Sequence, residues 1–530
     1  MCGIAGIKGT LANSKTLSQM LQRISHRGEN IYQQESLLLD GLTIGMNRLA
    51  IVDEEHGVQP VSYNHEVFCI FNGEIYNHVE LRQELSSYYQ FSGQCDTEVV
   101  LKSYLHWGID CLNKFDGKFA FCLVDIKNDM ILLARDHIGI KPLYYTIFDN
   151  NLFFSSEMKS FCELPFVCEI KMLPPSAYWL NGSERKYYYI PEYSVSYDDS
   201  QIILHGIKLR LIDAVQKRIP HESKKIACLL SGGIDSSIIT HIANKYHNNV
   251  EAFTFVNPDS SSSDLESATL LCKTLNINHI IVSPTKQELK SFYLKYGVYV
   301  TESYEPVLVR NAVSYHFVCK AVKDHGYKYA LTGEGADELF GGYAFFKEVP
   351  EQGRDIAIRN SLLNIHQTYL QMADRASMYT TIEARVPFMD KEFINYCMSM
   401  PNSFRINGIC EKWALREIFK NELPDTIVKR PKIGMNEGSG FGRNVCGESI
   451  YYEAVKEYYA MNNTARKKDL AACAPYMLLF KINLDDIEEI YNFSRFIEYQ
   501  YTRNAESRTR LQLNTKLLRP SANKKFENFE

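Results

Sequence analysis

The sequence lacks the features that mark membrane-spanning, secreted and nucleic-acid-binding proteins. No apolar run approaches the length of a membrane span, and the N-terminus does not have the basic-then-apolar layout of a signal peptide. The formal net charge of -5 gives no electrostatic reason to expect a nucleic-acid ligand. We therefore expect a cytoplasmic protein with neither a membrane nor a nucleic acid as its partner.

Cysteine pairs are also absent: the 14 cysteines lie singly along the chain, and none belongs to a CxxC motif. Scattered cysteines are typical of reduced thiols in a cytosol-like compartment, where most act as small buried hydrophobic residues. The spacing therefore argues against a disulfide framework and against structural zinc.

The periodic segments of the 530-residue chain predict two domains and a C-terminal region. Short apolar or alternating runs make residues 2–189 β-rich, with two helical patterns among them. An aperiodic aromatic and polar tract over 190–204 is predicted to be a linker. Strands alternate with helices over 205–442, which is typical of a parallel, doubly wound sheet. Residues 443–530 are predicted to be a mostly helical region and a tail.

The segment SGGIDSS, at 231–237, joins an apolar strand to a helix and predicts a phosphate-binding loop. Its glycines let backbone amides turn toward a ligand, and the N–H groups and dipole of the helix N-terminus favour phosphate. The lysine of a P-loop is absent, and the motif instead resembles the pyrophosphate-binding loop of ATP pyrophosphatases. Asp235 is then the expected Mg²⁺ ligand. The loop residues assigned to ATP are Ser231, Gly232, Gly233, Asp235, Ser236 and Ser237.

A second motif, TGEGADE at 332–338, follows another apolar strand and bunches carboxylates there. Such a turn is often only a solvated acidic surface. Beside a phosphate loop at the carboxyl end of a parallel strand, however, paired carboxylates hold Mg²⁺ or handle a proton on the acceptor. We assign Asp337 to the metal and Glu334 to the acceptor side. Lys432 is a candidate for neutralising the α-phosphate as pyrophosphate leaves.

The first six residues, MCGIAG, place a cysteine directly behind the initiator methionine. Removal of Met1 would give Cys2 both a thiol and a free α-amine, which are a nucleophile and a base on one residue. The segment NGE supplies Asn72 and Gly73, an amide side chain and an unhindered N–H, which are suitable donors for an oxyanion hole.

Three further charged residues fit the ends of an amino-acid substrate. Arg48, in NRLAIVD, can form a forked contact with a carboxylate. Glu74 and Asp96 can accept hydrogen bonds from an ammonium group. An arginine, two acids, a thiol and an oxyanion hole together predict a glutamine amidase, although each residue alone would be read as part of a turn or surface ion pair.

Taken together, these motifs resemble the glutamine-hydrolysing asparagine synthetases and, more widely, the class II glutamine amidotransferases. The shared motifs extend from Cys2 to about Gly440. In chain order they are MCGIAG, HRG, NRLAIVD, NGEIYNH, DTE, FDGKFAF, RDHIGIKPLYY, SSEMKS, LLSGGIDSS, TGEGADELFGGY and EARVPFMD.

For the first domain, the resemblance implies an N-terminal-nucleophile hydrolase, an αββα sandwich of two antiparallel sheets. Cys2 is expected to attack the side-chain amide of glutamine, to form a γ-glutamyl thioester and to release ammonia. The residues implied to bind glutamine or its oxyanion are Arg48, Asn72, Gly73, Glu74 and Asp96.

For the second domain, the resemblance implies an ATP pyrophosphatase that uses Mg²⁺ and adenylates a carboxylate. Arg310 is expected near the acceptor, Glu334 at the acyl-adenylate, and Lys432 as the catalytic lysine. Ammonia is expected to cross between the sites through an apolar passage, because in water it is mostly ammonium, which has no lone pair. The further residues implied to line the nucleotide site are Leu230, Phe255, Thr332 and Gly333.

Several departures from the family pattern leave the acceptor open. The chain has HRGEN where HRGPD is common, Asn47 in place of histidine, a bulky Phe255, and IGMNEGSG after Lys432. Aspartate, giving asparagine, is one acceptor, and another carboxylate of a specialised pathway is the alternative. An inactive regulatory protein is a third hypothesis, which the intact Cys2 and Asp235 oppose. The partners expected are glutamine, ATP, the acceptor and a second copy of the chain in a homodimer.

Overall fold

In the described part of the N-terminal half, twelve strands form two antiparallel sheets that pack face to face. The computed structural model describes residues 2–28, 34–51, 53, 57–164, 166, 169–192, 199–220, 223–258, 262–434, 450–461, 465, 468–469 and 487–501. The sheet orders are β10-β8-β9-β1-β3-β2 and β12-β11-β7-β6-β5-β4. The strands are β1 (Gly3–Lys8), β2 (Gln34–Leu39), β3 (Leu42–Asn47), β4 (Val61–Tyr63), β5 (Val67–Ile75), β6 (Gly117–Asp125), β7 (Met130–Arg135), β8 (Tyr144–Phe148), β9 (Asn151–Ser155), β10 (Lys171–Met172), β11 (Ala177–Leu180) and β12 (Ser183–Lys186).

Helices cover the outer face of each sheet, because successive side chains of a strand point to opposite faces. Ile4 of β1 and Ile70 of β5 lie in the core between the sheets. Ile7 of β1 packs in the core that contains the first helix, and Phe71 of β5 packs in the core that contains the third. The αββα sandwich expected for this domain is therefore confirmed. Its helices are α1 (Ser14–Arg23), α2 (His78–Leu85), α3 (Asp96–Trp107) and α4 (Cys111–Lys114).

Helix α3 was not among the two helical patterns that the sequence predicts for this domain. Its first eight residues, 96–103, are all buried, and five of them are polar: Asp96, Thr97, Glu98, Lys102 and Ser103. A helix buried on every side, with polar residues among the buried ones, has no apolar stripe of period 3.6, so its sequence carries no helical signal.

The second half contains a five-stranded sheet in which every neighbouring pair is parallel, as the sequence predicts. The strand order is β15-β14-β13-β16-β17, so the direction of progression reverses between β13 and β16. In open parallel sheets, ligands bind at the carboxyl ends of the strands at such a reversal. The strands are β13 (Ile226–Leu229), β14 (Val250–Phe255), β15 (Asn278–Val282), β16 (Tyr329–Leu331) and β17 (Glu383–Arg385), and β18 (Ile406–Asn407) pairs with β19 (Cys410–Glu411) in a hairpin.

Helices surround this sheet and continue toward the C-terminus. Two helices of the predicted C-terminal region are described and contact each other; the tail after residue 501 lies outside the described residues. The helices are α5 (Ser200–Lys217), α6 (Ile234–Tyr246), α7 (Ser263–Leu275), α8 (Lys286–Phe292), α9 (Val298–Thr301), α10 (Pro306–Asp324), α11 (Ala336–Phe340), α12 (Phe345–Glu348), α13 (Arg354–Asn364), α14 (Tyr369–Met378), α15 (Lys391–Cys397), α16 (Trp413–Phe419), α17 (Asp425–Val428), α18 (Ile450–Met461) and α19 (Ile487–Tyr501). Within the described ranges, no helix is long and apolar enough to cross a membrane.

The predicted linker over 190–204 is too long at its C-terminal end. Helix α5 begins at Ser200, because the Asp199 side chain accepts hydrogen bonds from the N–H groups of Gln201 and Ile202 and so caps the helix. Residues 200–204 are therefore helical, which corrects that part of the prediction. Residues 193–198 of the predicted linker lie outside the described residues.

Candidate active sites

Cys2 lies at the start of β1, a central strand of its sheet, and is 6% exposed. Its backbone nitrogen, which becomes the α-amine once Met1 is removed, donates to Asn72 Oδ1 over 3.1 Å. Its carbonyl accepts from Arg27 Nε over 3.1 Å. Because β1 pairs with β3 and β9 on its two sides, the terminus is fixed by ladders of hydrogen bonds. The candidate nucleophile is therefore held rigidly.

Asn72 and Gly73 present hydrogen-bond donors near Cys2. Since Asn72 Oδ1 accepts from Cys2, the amide orientation is fixed, and the buried Nδ2 donates to no protein atom. Phe119, opposite Gly73 on β6, bonds Asp136 through both its N–H and its carbonyl. Gly73 thus belongs to a non-hydrogen-bonded pair, and its N–H points away from β6. Both donors expected of an oxyanion hole are therefore available.

A side chain at position 73 would not fit. A Cβ there would lie 2.2 Å from the carbonyl oxygen of Lys118 and 2.7 Å from Cα of Phe119, both of which are backbone atoms. Glycine is therefore required by the close approach of β5 and β6 as well as by the unhindered N–H.

An open cavity with Cys2 in its wall lies at this end of β1. Five of the six residues predicted to bind or attack glutamine line it, and the sixth, Asn72, contacts Cys2 directly. The sequence analysis did not identify Gln59 or Glu383, which also line it. Gln59 accepts from the N–H of Phe71 over 2.7 Å, and Glu383 comes from β17 of the second domain. The predicted lining residues are Cys2, Arg48, Gly73, Glu74 and Asp96.

The acidic side of this cavity is electrostatically unusual. Burial, followed by the neighbouring Glu74, raises the pKa of Asp96 from 3.8 to about 7. Glu74 Oε2 lies 2.8 Å from Arg385 Nη2 and 3.4 Å from Lys118 Nζ. It nevertheless accepts no hydrogen bond from a protein group in the described residues. An ammonium group would satisfy both carboxylates.

The SGGIDSS loop lies where β13 ends and α6 begins, as predicted. Gly232 has φ of 72°, a conformation that favours glycine, and a Cβ there would lie 2.6 Å from the carbonyl oxygen of Asp264. Ser231 N donates to Ser236 Oγ over 3.1 Å, which closes the loop. A Cβ on Gly333 would lie 2.8 Å from Ser236 N, so the two predicted nucleotide motifs touch.

The remaining predicted nucleotide residues lie along the same edge of the sheet. Leu230 is buried and its N–H donates to the carbonyl of Phe253 over 2.9 Å. Phe255 is half-buried at the end of β14. Thr332 N donates to the carbonyl of Arg385 over 3.0 Å, and the buried Ser237 Oγ has no hydrogen-bond partner.

Two lysines hold the carboxylates of this edge. Lys412 Nζ lies 2.6 Å from Asp235 Oδ2 and 2.6 Å from Asp337 Oδ1. Lys432 Nζ lies 2.5 Å from Asp337 Oδ2. Although burial opposes it, these two lysines lower the pKa of Asp337 to about 2. Lys412 is fully buried and was not identified from the sequence, where it is one lysine among many.

The chemistry of this donor set fits the magnesium ion that the sequence predicts. Asp235 Oδ1 is buried and accepts no hydrogen bond, so it retains a lone pair for a cation. Carboxylate oxygens beside a phosphate loop are the ligands that Mg²⁺ prefers. The ammonium of Lys412 bridges Asp235 and Asp337 in the protein alone, which shows that the pair attracts positive charge.

Glu334 lies next to this cluster and is partly buried. Desolvation, followed by the charges of Glu338, Asp337 and Asp235, raises the pKa of Glu334 to about 8, against the opposing effect of Lys432. A carboxyl group in such an environment can hold and transfer a proton at neutral pH.

Comparison with known proteins identifies the families to which the two parts of the chain are similar. Residues 1–184 match the family described as a glutamine amidotransferase domain, and residues 206–362 and 356–458 match the family described as asparagine synthase. The chain is 32% identical over 471 residues to the glutamine-hydrolysing asparagine synthetase B of Escherichia coli (strain K12), covering 83% of each chain. It is also 32% identical over 474 residues to asparagine synthetase 3 of Arabidopsis thaliana, covering 83% of this chain and 79% of that one.

The chain belongs to the family of glutamine-hydrolysing asparagine synthetases.

Solved structures match this asparagine synthetase relative only with low scores. A glutamine phosphoribosylpyrophosphate amidotransferase from B. subtilis is 16% identical, with a TM-score of 0.32, and covers 53% of this chain and 65% of its own. An NMN synthetase from Francisella tularensis is 12% identical, with a TM-score of 0.26, and covers 59% of this chain and 98% of its own. Because these scores are low, the fold assignment rests on the sheet topology and the family matches.

One predicted acceptor residue has a partner that the family resemblance does not imply. Arg310, on α10, forms a two-pronged ion pair with Glu488 of α19, with Nε and Oε1 2.8 Å apart. Glu488 is fully buried and also accepts from Tyr293. The role of Arg310 at the acceptor stays a prediction for this asparagine synthetase family member.

Proposed function

We propose that this protein is a glutamine-dependent asparagine synthetase, which converts aspartate, glutamine and ATP into asparagine, glutamate, AMP and pyrophosphate. It is thus an ATP-dependent carbon–nitrogen ligase. The observation that carries the proposal is the assembly of two sites in one chain. Cys2 with Asn72 and Gly73 forms one, and the SGGIDSS loop against the TGEGADE turn forms the other. The names of the relatives favour aspartate over other carboxylates as the acceptor.

Glutamine hydrolysis follows from the geometry at Cys2. The α-amine takes the thiol proton, and the sulfur attacks the side-chain amide carbon of glutamine. Asn72 Nδ2 and Gly73 N–H donate to the oxyanion that forms. As the C–N bond breaks, the α-ammonium returns its proton to the leaving nitrogen, which departs as ammonia. Water then hydrolyses the γ-glutamyl thioester to glutamate and frees the thiol.

Arg48 is proposed to bind the α-carboxylate of glutamine, while Glu74 and Asp96 bind its α-ammonium. Both acids line the cavity that contains the Cys2 thiol, and Glu74 Oε2 has no hydrogen bond from the protein. An ammonium group beside Asp96 favours the ionised carboxylate, so substrate binding offsets the cost of its burial.

Aspartate activation is proposed at the carboxyl edge of the parallel sheet. The β-carboxylate attacks the α-phosphorus of ATP, and the bond from this phosphorus to the β-phosphate oxygen breaks. Pyrophosphate departs, and β-aspartyl-AMP is formed. The nucleotide is held by the SGGIDSS loop with Leu230, Phe255, Thr332 and Gly333. Asp235 and Asp337 would hold Mg²⁺, which supplies positive charge against the phosphates when bound. Lys412 and Lys432 lie within reach of the same charge.

Amide formation completes the reaction. Ammonia attacks the acyl carbon of β-aspartyl-AMP, the bond to the phosphate oxygen breaks, and AMP leaves. Glu334, with its raised pKa, is proposed to hold the proton that the attacking nitrogen loses. Ammonia is proposed to travel between the sites through an apolar path that begins at Leu49, which lines the glutamine cavity and packs on Met378 of α14.

The test is product analysis with defined acceptors. The purified protein is given glutamine and Mg-ATP with L-aspartate, D-aspartate, L-glutamate or succinate, and the amide product, glutamate, AMP and pyrophosphate are measured. Of these four acceptors, we expect only L-aspartate to give AMP and an amide product, with asparagine and AMP formed in equal amounts. Release of AMP with another acid, and none with L-aspartate, would overturn the choice of acceptor.

The setting and assembly are proposals as well. We propose that the enzyme works as a homodimer in the cytoplasm, with neither a membrane nor a nucleic acid as a partner. The eleven cysteines in the described residues form no disulfide bonds with one another and nine are buried, which suits a reducing compartment. Sedimentation of the purified protein tests the dimer, and limited proteolysis tests the domain boundaries predicted at 189 and 205.

A further inference from the structure

Part of the glutamine cavity belongs to the other domain. Strand β17 of the parallel sheet supplies Glu383 to the cavity wall, and its last residue, Arg385, reaches the substrate-facing Glu74. Glutamine hydrolysis needs Cys2 and its oxyanion donors, all of which come from the first domain. The contribution of β17 therefore calls for a separate explanation.

Four charged side chains meet at this contact. Glu74 Oε2 lies 2.8 Å from Arg385 Nη2 and 3.4 Å from Lys118 Nζ. Glu383 Oε1 lies 2.7 Å from Arg385 Nε and also pairs closely with Lys118 Nζ. Lys118, Glu383 and Arg385 are each at most 1% exposed on their side chains, and Glu74 is 10% exposed. Two acids and two bases thus balance, and Glu74 is the most exposed of the four side chains.

The Glu74–Arg385 contact is incompletely satisfied. Glu74 Oε2 accepts no hydrogen bond and Arg385 Nη2 donates none, although both atoms are buried and 2.8 Å apart. Arg385 is anchored elsewhere, through Nε to Glu383 and through Nη1 to the carbonyl of Arg218. An ammonium group arriving at Glu74 would share this carboxylate with Arg385 and change the charge that Arg385 faces.

The backbone of Arg385 leads directly to the nucleotide site. Its carbonyl accepts from Thr332 N over 3.0 Å, and Thr332 Oγ1 accepts from Glu334 N over 3.1 Å. Two residues, Arg385 and Thr332, therefore connect the glutamine-binding Glu74 to Glu334. Every link is an ion pair or hydrogen bond between buried or partly buried groups, and such contacts are little screened by solvent.

We propose that Arg385 is a positioning residue that couples occupancy of the glutamine site to the arrangement of the nucleotide site, with Glu383 as its support. This proposal rests on the proposed function, because it presupposes that glutamine and ATP bind at these two places. Coupling between binding sites is reciprocal, so Mg-ATP and aspartate must change the apparent affinity for glutamine by the factor with which glutamine changes theirs.

A purely structural ion cluster that joins the domains is the competing explanation. The decisive variant is Arg385→Lys, which keeps the charge but cannot reach Glu74, Glu383 and the Arg218 carbonyl together. The matched control is Asp116→Asn. It removes the charge from the ion pair of Lys217 Nζ with Asp116 Oδ2, 2.9 Å long, which also joins the domains; neither residue lines the cavity.

The experiment measures the dissociation constant of a non-hydrolysed glutamine analogue with and without Mg-ATP and aspartate, and the ratio of glutamate to AMP during turnover. For the wild type and Asp116→Asn we expect Mg-ATP and aspartate to change the affinity for the analogue by about fivefold or more, a typical coupling factor. We expect the ratio of glutamate to AMP to be near one in both. For Arg385→Lys we expect the change in affinity to fall below about twofold and the ratio to rise. Ammonium-dependent asparagine formation should remain within about threefold of wild type.

The outcomes separate the two proposals. If wild type makes no asparagine from glutamine or from ammonium, the proposed function fails. The coupling role is wrong if wild type makes asparagine but Arg385→Lys keeps the wild-type ratio of glutamate to AMP and the wild-type change in affinity for the glutamine analogue. It is also wrong if wild type itself shows no such change in affinity. If circular dichroism shows that Arg385→Lys is unfolded, Glu383→Gln is tested in its place. The same changes in affinity and in the ratio of glutamate to AMP are then expected.

Discussion

Replacement of Asn72 tests the oxyanion hole most sharply, because this side chain has two separable contacts. Its Oδ1 accepts from Cys2 N over 3.1 Å, and its buried Nδ2 has no partner in the protein. Loss of one oxyanion donor costs about 10²- to 10³-fold in kcat. Loss of the bond to Cys2 adds at most a further factor of about 10, because such a bond contributes about 0.5–1.5 kcal/mol.

Two variants distinguish these contacts. Asn72→Ala removes both, so we expect glutamine hydrolysis to fall by about 10² to 10⁴. Asn72→Asp keeps an acceptor for Cys2 but replaces the donor with an oxygen that repels the oxyanion. We therefore expect Asn72→Asp to lose at least as much activity as the alanine variant.

The assay follows glutamate release without ATP and, separately, asparagine formation from ammonium chloride. Ammonium-dependent synthesis should stay within about threefold of wild type in both variants, since the nucleotide site is untouched. A melting temperature within a few degrees of wild type serves as the control for folding. If Asn72→Asp hydrolyses glutamine within tenfold of the wild-type rate, Nδ2 is not the oxyanion donor and this reasoning is wrong.

Two further predictions concern the other groups. For Asp235→Ala we expect pyrophosphate release to be lost while glutamine hydrolysis survives, because Asp235 lies at the phosphate loop; equal loss of both activities would contradict the division into two sites. Because the pKa of Asp96 is raised to about 7, the carboxyl is protonated below that pH, so kcat/KM for glutamine should rise as pH increases through about 7. Asp96→Asn should remove this rise and increase KM for glutamine. The pH profile of the ammonium-dependent reaction serves as the reference, and a glutamine profile that is the same in Asp96→Asn and wild type would count against the role of Asp96.

The sequence predicts much of the fold because strands in both domains have strong local signals. Strands such as β5 and β13 are apolar runs bounded by turn residues, and the SGGIDSS loop has glycines where the backbone requires them. Helix α3 escapes prediction because it is buried on every side and so has no apolar stripe. The predicted linker extends too far, to 204, because a single capping residue, Asp199, decides where α5 begins.

The site residues likewise divide into those that the sequence identifies and those that it does not. Residues within contiguous motifs, such as Asn72 and Asp235, can be identified because the neighbouring residues of the motif indicate their role. Lys412 and Arg385 are not, since each reaches its site from a distant part of the chain, and a buried ion pair leaves no local pattern. Arg385 lies in the motif EARVPFMD, so that family motif was the one available signal for it, although it does not reveal the contact with Glu74.

One chain is proposed both to release ammonia at Cys2 and to use it at the nucleotide site. The most direct measurement supplies glutamine with an isotope-labelled amide nitrogen, Mg-ATP and aspartate, together with an excess of unlabelled ammonium, and follows the label into the product. We predict asparagine that carries the label in wild type, and only unlabelled asparagine from Cys2→Ala, which should still use ammonium. Labelled asparagine from Cys2→Ala, or no asparagine from wild type, would contradict the account.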